Sequence, residues 1–200
     1  MFFLFFIYSL VILISTIGFG LIFLRFLKFE VVNIGLVGIL GLFFLSIISS
    51  YTHLLFAHNY IHNFIIIFSG LVSFFVFKKK IFDDLKYLTI LFILLFVFLI
   101  ISKTNEDFGY YHLPNSIQFA QQKLQFGLGN LNHGFKHISS IFQLMSLNYL
   151  PFVEFYLFNL TNFLFFIFFL EFFLKEIFTK SSKNLNTSNI LLSLIFILFL

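Results

Sequence analysis

The sequence predicts an all-α, polytopic membrane protein, and three observations carry that reading. Of its 200 residues, 60% are apolar and 10% are charged, whereas roughly a quarter of an ordinary soluble domain is charged. A chain so poor in charge cannot cover a water-facing surface. Its apolar residues, 38 of them Phe, fall in long uninterrupted runs. Its Lys and Arg residues gather in alternate connections between those runs. The wealth of aromatic and branched apolar residues excludes disorder. With no Cys there is no disulfide framework, zinc-thiolate site or thiol nucleophile. The net charge of +4 is not a nucleic-acid signature, because most of the positive charge lies in short loops, where it sets topology.

Residues 2–24 form a 23-residue run without charge, which at about 1.5 Å per residue spans the ~30 Å hydrocarbon core. The run is too long for a cleaved signal peptide. It also lacks preceding basic residues and a small-residue cleavage site. Residues 31–56 form a second span, in which Gly35, Gly38 and Gly41 recur every three positions and predict close helix packing. Residues 61–77 form a third. Residues 85–101 form a fourth, with Lys86 able to snorkel at its end. A polar interval, 102–150, precedes a fifth span at 151–174. The polar loop 175–189 then leads into a sixth apolar run at 190–200. As a helix those 11 residues reach about 16 Å, half a bilayer. The expectation is an N-terminal part of a longer protein, or a truncated frame. The predicted fold is thus a helix bundle of about five full spans plus a truncated sixth. Residues 1–84 supply three additional N-terminal helices, and 85–200 begin a second unit.

Counting Lys and Arg in alternate loops gives orientation. Arg25, Lys28, Lys78, Lys79, Lys80, Lys86, Lys175, Lys180 and Lys183 share one side. Only Lys103, Lys123 and Lys136 lie on the other. The first side is cytoplasmic, so the N-terminus and the loop 102–150 lie outside.

The unusual residues concentrate in that loop. It opens with Lys103, and the adjacent carboxylates Glu106 and Asp107 follow directly beyond the fourth span. Tyr110, Tyr111, His112, Leu113 and Pro114 come next. Pro114 suits the first turn of a helix. Leu113, Ile117, Ala120 and Leu124 recur at helical spacing, with Asn115, Ser116, Gln118 and Lys123 on the other sides. This predicts an amphipathic surface helix. A turn-rich stretch follows, whose Gly127-Leu128-Gly129 is no phosphate loop, since no strand precedes it. A second amphipathic helix sets Ile138, Ile141, Phe142 and Met145 against Lys136, Ser139, Ser140 and Gln143.

Span, carboxylate pair, surface helix, turn, surface helix, span: this order resembles the first outer loop of the GT-C superfamily of integral-membrane glycosyltransferases. The string Glu106-Asp107-x-x-Tyr110-Tyr111-His112-Leu113-Pro114 is similar to that of bacterial members. The stretch Phe126-Gly127-Leu128-Gly129-Asn130-Leu131-Asn132 is similar to the loop between their two juxtamembrane helices. The resemblance covers about residues 85–174. It implies sugar transfer from a polyprenyl-phosphate-linked donor at the outer face of the bilayer, in a bacterial cytoplasmic (inner) membrane. It implies Asp107 as catalytic acid, with Glu106 as the other register. A carboxylate there can take the acceptor's proton or hold a divalent cation, Mg or Mn, with His112 as a further ligand. Tyr110, Tyr111, His112, Lys103, Lys123 and Lys136 are the expected substrate-binding residues. The chain departs from the family in its three preceding spans and in an outer loop without Arg.

Two other classes compete. His53, His58, His62, His112, His133 and His137 all fall on or near the outer side. The pairs His58/His62 and His133/His137 are spaced i, i+4, the pattern of a metal- or proton-handling transporter. A non-catalytic membrane subunit is the third reading. Asp107→Asn, His58→Ala and co-purification of a partner separate the three.

Overall fold

The computed structural model describes residues 1–30, 33–77, 82–101, 106–130, 133–136 and 139–181. Within them there is no strand. Seven α-helices follow in order: α1 (Phe2–Phe26), α2 (Ile34–Leu55), α3 (Tyr60–Phe77), α4 (Phe82–Ile101), α5 (Leu113–Gln121), α6 (Ser140–Ser146) and α7 (Leu160–Ser181). Among the described residues five stretches are long and apolar enough to cross a membrane: α1, α2, α3, most of α4, and Glu154–Glu176, which takes in most of α7. The predicted run 190–200 lies outside the described residues.

Local chemistry sets the helix ends. α1 stops in a Schellman turn: the Phe29 N–H donates to the Leu24 carbonyl at 3.0 Å and the Lys28 N–H to the Arg25 carbonyl at 3.1 Å. The position in the left-handed region, normally glycine, is Lys28 at φ 59; a side chain there costs roughly 1–2 kcal/mol. Asn33 caps α2, its Oδ1 accepting from the N–H of Gly35 at 2.7 Å and of Leu36 at 3.2 Å. Asn59 does the same before α3, accepting from the His62 N–H at 3.0 Å. Ser139 caps α6.

α1 packs against both α2 and α3, and α2 carries α7 on another side. α4 lies against α7 and returns to α1 through aromatic contacts, with Phe6 edge-on to Phe96 at 5.0 Å and Phe92 edge-on to Phe163 at 5.7 Å. One hydrophobic core joins these five helices, with Phe92, Phe168, Ile17 and Ile34 buried in it. The outward faces of α3 and α4 leave Phe64, Phe68, Leu94 and Phe98 exposed. In a bilayer such faces meet lipid, so helix association rests on close packing rather than on escape from water. The glycines supply it. A Cβ on Gly18 would strike the Gly70 carbonyl of α3, one on Gly41 the Thr16 carbonyl of α1, and one on Gly38 the Phe168 ring of α7. The triplet Gly35, Gly38, Gly41 thus serves two interfaces.

Polar contacts fasten one end of this bundle. Glu171 of α7 is buried and accepts from the Gly35 N–H at 2.6 Å, placing a carboxylate on the N-terminus of α2. Lys175 of α7 pairs with Asp84 of α4.

The other end is capped by residues 106–150. α5 packs on α6 and α6 on α2, the Phe119 ring of α5 lies 4.4 Å from the His53 ring of α2, and together they enclose Phe119, Phe142, Met145 and Phe158. α5 and α6 are the two amphipathic helices expected in this loop, and their apolar sides meet. The face expected for α5 is turned. Asn115, Ser116, Phe119 and Ala120 are buried, while Leu113, Ile117 and Leu124 are only half-buried. Tertiary hydrogen bonding outweighs hydrophobic spacing here, since α5 also ties its backbone to the α2–α3 connection. The expected fifth helix from 151 starts later. Phe152 and Glu154 hold φ of 67 and 47, residues 154–157 form a 3-10 turn, and regular helix begins at Leu160.

Candidate functional site

Beyond α4, Glu106 and Asp107 begin a second helical stretch and are both exposed. The chain then makes a π-helical turn over Phe108–His112 before α5. Pro114 explains it. Pro114 has no N–H for the carbonyl four residues back, and its ring would crowd that carbonyl. The wider turn makes room, with the Leu113 N–H reaching back to the Phe108 carbonyl. Asn115 adds a side-chain bond, its Nδ2 donating to the Tyr111 carbonyl at 2.6 Å. Single π turns of this kind recur at functional sites.

The turn divides its side chains. Tyr110 is 82% exposed. Tyr111 and His112 are half-buried and pack on α6, the His112 ring 4.8 Å from Phe142 and the Tyr111 ring 6.0 Å from it. The Tyr111 hydroxyl donates to Asp107 Oδ2 at 3.4 Å. Partial burial and then the adjacent Asp107 charge push the Tyr111 phenol above its usual range, so at neutral pH it remains a donor. The short turn His133–Lys136 lies beside Phe108–His112. Lys136 there is exposed and packs its stem over Gly129. Lys123 is exposed at the rim of a small cavity walled by His53, Gln118 and Phe119. Asp107, Tyr111 and His112 are therefore neighbours, with the turn bearing Lys136 alongside. Lys103 and His137 lie outside the described residues, as does the His133 side chain.

A second polar cluster sits beneath this one, and it is buried. His53 ends α2, His58 lies in the α2–α3 connection, and His62 opens α3. The His58 ring stacks on His62 at 4.7 Å and tilts against His53 at 5.1 Å. His58 Nδ1 lies 2.6 Å from Ser146 Oγ, and His58 Nε2 lies 3.2 Å from Thr52 Oγ1. His53 Nε2 donates to the Gln122 carbonyl at 3.1 Å. Asn63 Nδ2 donates to the carbonyls of His58 and Ser146, each at 2.8 Å, and of Tyr149 at 3.0 Å. Burial, reinforced by the neighbouring His62 and His53, holds the His58 imidazole down at about 3.

A family model for a domain of unknown function, DUF8201, matches residues 1–200. The chain belongs to the DUF8201 family. No curated protein and no solved structure matches it.

In this DUF8201 chain the two clusters differ in what they can do. His58 is neutral, and both of its ring nitrogens are engaged by hydroxyls. Among the described residues no three His, Asp or Glu side chains converge as a metal site would require. Glu106 and Asp107 instead offer exposed carboxylate oxygens, which suit a hard cation held jointly with a ligand's phosphates. The i, i+4 spacing of His58 and His62 would align them on a helix; in this chain His58 precedes α3 and its partners come from α2 and α6. Asn63 and Ser146 carry no local signal of their role, because the contacts joining them span 83 positions.

Proposed function

We propose that this protein is a GT-C-type membrane glycosyltransferase that moves a sugar from a polyprenyl-phosphate donor, with Asp107 as its catalytic carboxylate. The observation carrying the proposal is an exposed carboxylate pair placed directly beyond a membrane-length helix. From there the chain runs straight into a juxtamembrane helix through a π turn. A donor whose prenyl tail stays in the bilayer brings its phosphate to that level.

The chemistry follows from the placement. An acceptor hydroxyl is a poor nucleophile until a positioned base removes its proton, and Asp107 is exposed and able to do so. Tyr111 steadies Asp107 through its hydroxyl. Exposed Tyr110 offers a flat face on which a sugar ring can stack. Lys123 and Lys136, with Lys103 in the sequence, balance the donor phosphate. Glu106 and Asp107 would hold Mg or Mn, which supplies charge stabilisation of the departing phosphate. His112, packed on Phe142, belongs to the wall of the site. The excess of Lys and Arg in the loops of the opposite end supports an outward-facing site, and the GT-C resemblance implies a bacterial cytoplasmic membrane.

The test uses membranes from a host that expresses the chain, supplied with radiolabelled polyprenyl-phosphate hexoses. Release of polyprenyl phosphate is read without knowledge of the acceptor. Donor consumption is expected to require the chain and to fall at least about a hundredfold in Asp107→Asn, with membrane levels unchanged. Consumption by Asp107→Asn at the wild-type rate, or no chain-dependent consumption of any donor, overturns the reading.

A further inference from the structure

The opposite end of the bundle carries a slot of about 330 Å³ where α1 and α3 finish. Its walls are apolar at Leu24, Phe29 and Phe77, and its rim carries Arg25, Lys28 and Glu30. Arg25 is held in place, its guanidinium 4.9 Å over the Phe77 ring. Lys28 is held by the Schellman turn. It occupies the left-handed position at φ 59 that glycine would fill without strain. A strained residue at such a place is a pointer to function.

We propose that this slot binds a glycerophospholipid carrying one negative charge and a hydroxylated headgroup, with its phosphate on Arg25 and Lys28. Among the described residues lining the slot, two cations and one carboxylate leave a net of one positive charge, against one negative on the lipid. Glu30 accepts from the headgroup hydroxyls. The apolar walls take the glycerol and upper acyl carbons, and they continue into helices of membrane length. That continuity argues for a lipid over a soluble phosphate. Basic pockets between membrane helices recognise headgroups in this way.

The experiment is native mass spectrometry of the full chain in detergent, offered equal amounts of phosphatidylglycerol, phosphatidylethanolamine and phosphatidylcholine. Phosphatidylglycerol adducts are expected to exceed each of the others about tenfold. Lys28→Gly relieves the backbone strain, so its melting temperature should not fall, yet it should lose about fivefold of that preference. With cardiolipin added as a fourth lipid, Glu30→Gln, at an exposed position, should shift the preference toward that doubly charged lipid. Excess glycerol phosphate should displace nothing. Equal retention of the three lipids, an undiminished preference in Lys28→Gly, no shift in Glu30→Gln, or displacement by glycerol phosphate each overturns the proposal.

Discussion

His58 Nδ1 donates to Ser146 Oγ across 2.6 Å, and this bond fixes the tautomer of the imidazole. The Ser146 hydroxyl spends its own proton on the Gln143 carbonyl at 2.7 Å, so the proton between the pair belongs to the ring. His58 Nε2 is then the acceptor for Thr52 Oγ1. The result is a neutral histidine joining α2, the α2–α3 connection and α6.

Acid should therefore weaken the fold through His58. Its pKa is about 3 in the folded chain against an ordinary 6.5, so the unfolded chain binds the extra proton. The stability is fully present above about pH 6.5 and is lost as pH falls toward 3, by up to about 5 kcal/mol. Melting in detergent from pH 7 to 4 should show this slope in the wild type and a shallower one in His58→Gln. Identical slopes would refute the assignment.

Asn63→Asp should be far worse than its size suggests. The amide donates to three carbonyls; a carboxylate would face them with acceptors only. A loss of about 3 kcal/mol or more is expected, read as a lower melting temperature and faster proteolysis around residues 122–139. Proteolysis at the wild-type rate would show that the amide is not the fastening.

Gly18→Ala should cost about 1–3 kcal/mol by overpacking, because its obstacle is the Gly70 backbone, which cannot rotate away. Gly109→Ala has open space and serves as the control. Equal melting of the two variants would argue against the close α1–α3 approach.

Glu171→Gln should loosen α2 from α7 by about 0.5–2 kcal/mol, since it removes the carboxylate from the α2 N-terminus. The companion variant Asn33→Ala removes the local cap and should cost about 1 kcal/mol. Because both oxygens accept from the Gly35 N–H, a double-mutant cycle is expected to show coupling. Strict additivity would mean that the two contacts act independently.

The five spans were legible because membrane length and hydropathy are properties of contiguous residues. The tight role of Gly35, Gly38 and Gly41 was legible from their spacing. The Glu106–Asp107 placement was legible because a span boundary lies just before it. Other features were not. The buried face of α5 is chosen by partners in α6 and the α2–α3 connection, so hydrophobic spacing caught Ala120 but missed Asn115, Ser116 and Phe119. The late start of α7 rests on left-handed backbone at Phe152 and Glu154, residue types that do not announce it. The i, i+4 spacing of the histidines left a ligand role open as a competing reading, and their hydrogen bonding to Ser146 and Asn63 could not be read from it, because those partners are distant in sequence.

Two backbone bonds give the cap a place in the chain's biosynthesis. The His58 N–H donates to the Phe119 carbonyl at 2.9 Å, and the Leu124 N–H donates to the His53 carbonyl at 3.0 Å. Residues 53 and 58 leave the ribosome well before 119 and 124. At roughly 5–20 residues per second, the 61 positions from His58 to Phe119 represent about 3–12 s of synthesis. Through that interval the α2–α3 hairpin is inserted with its connection still bonded to water or to the insertion machinery. The first three helices of the nascent chain thus wait for the fourth to cross before their own end can close.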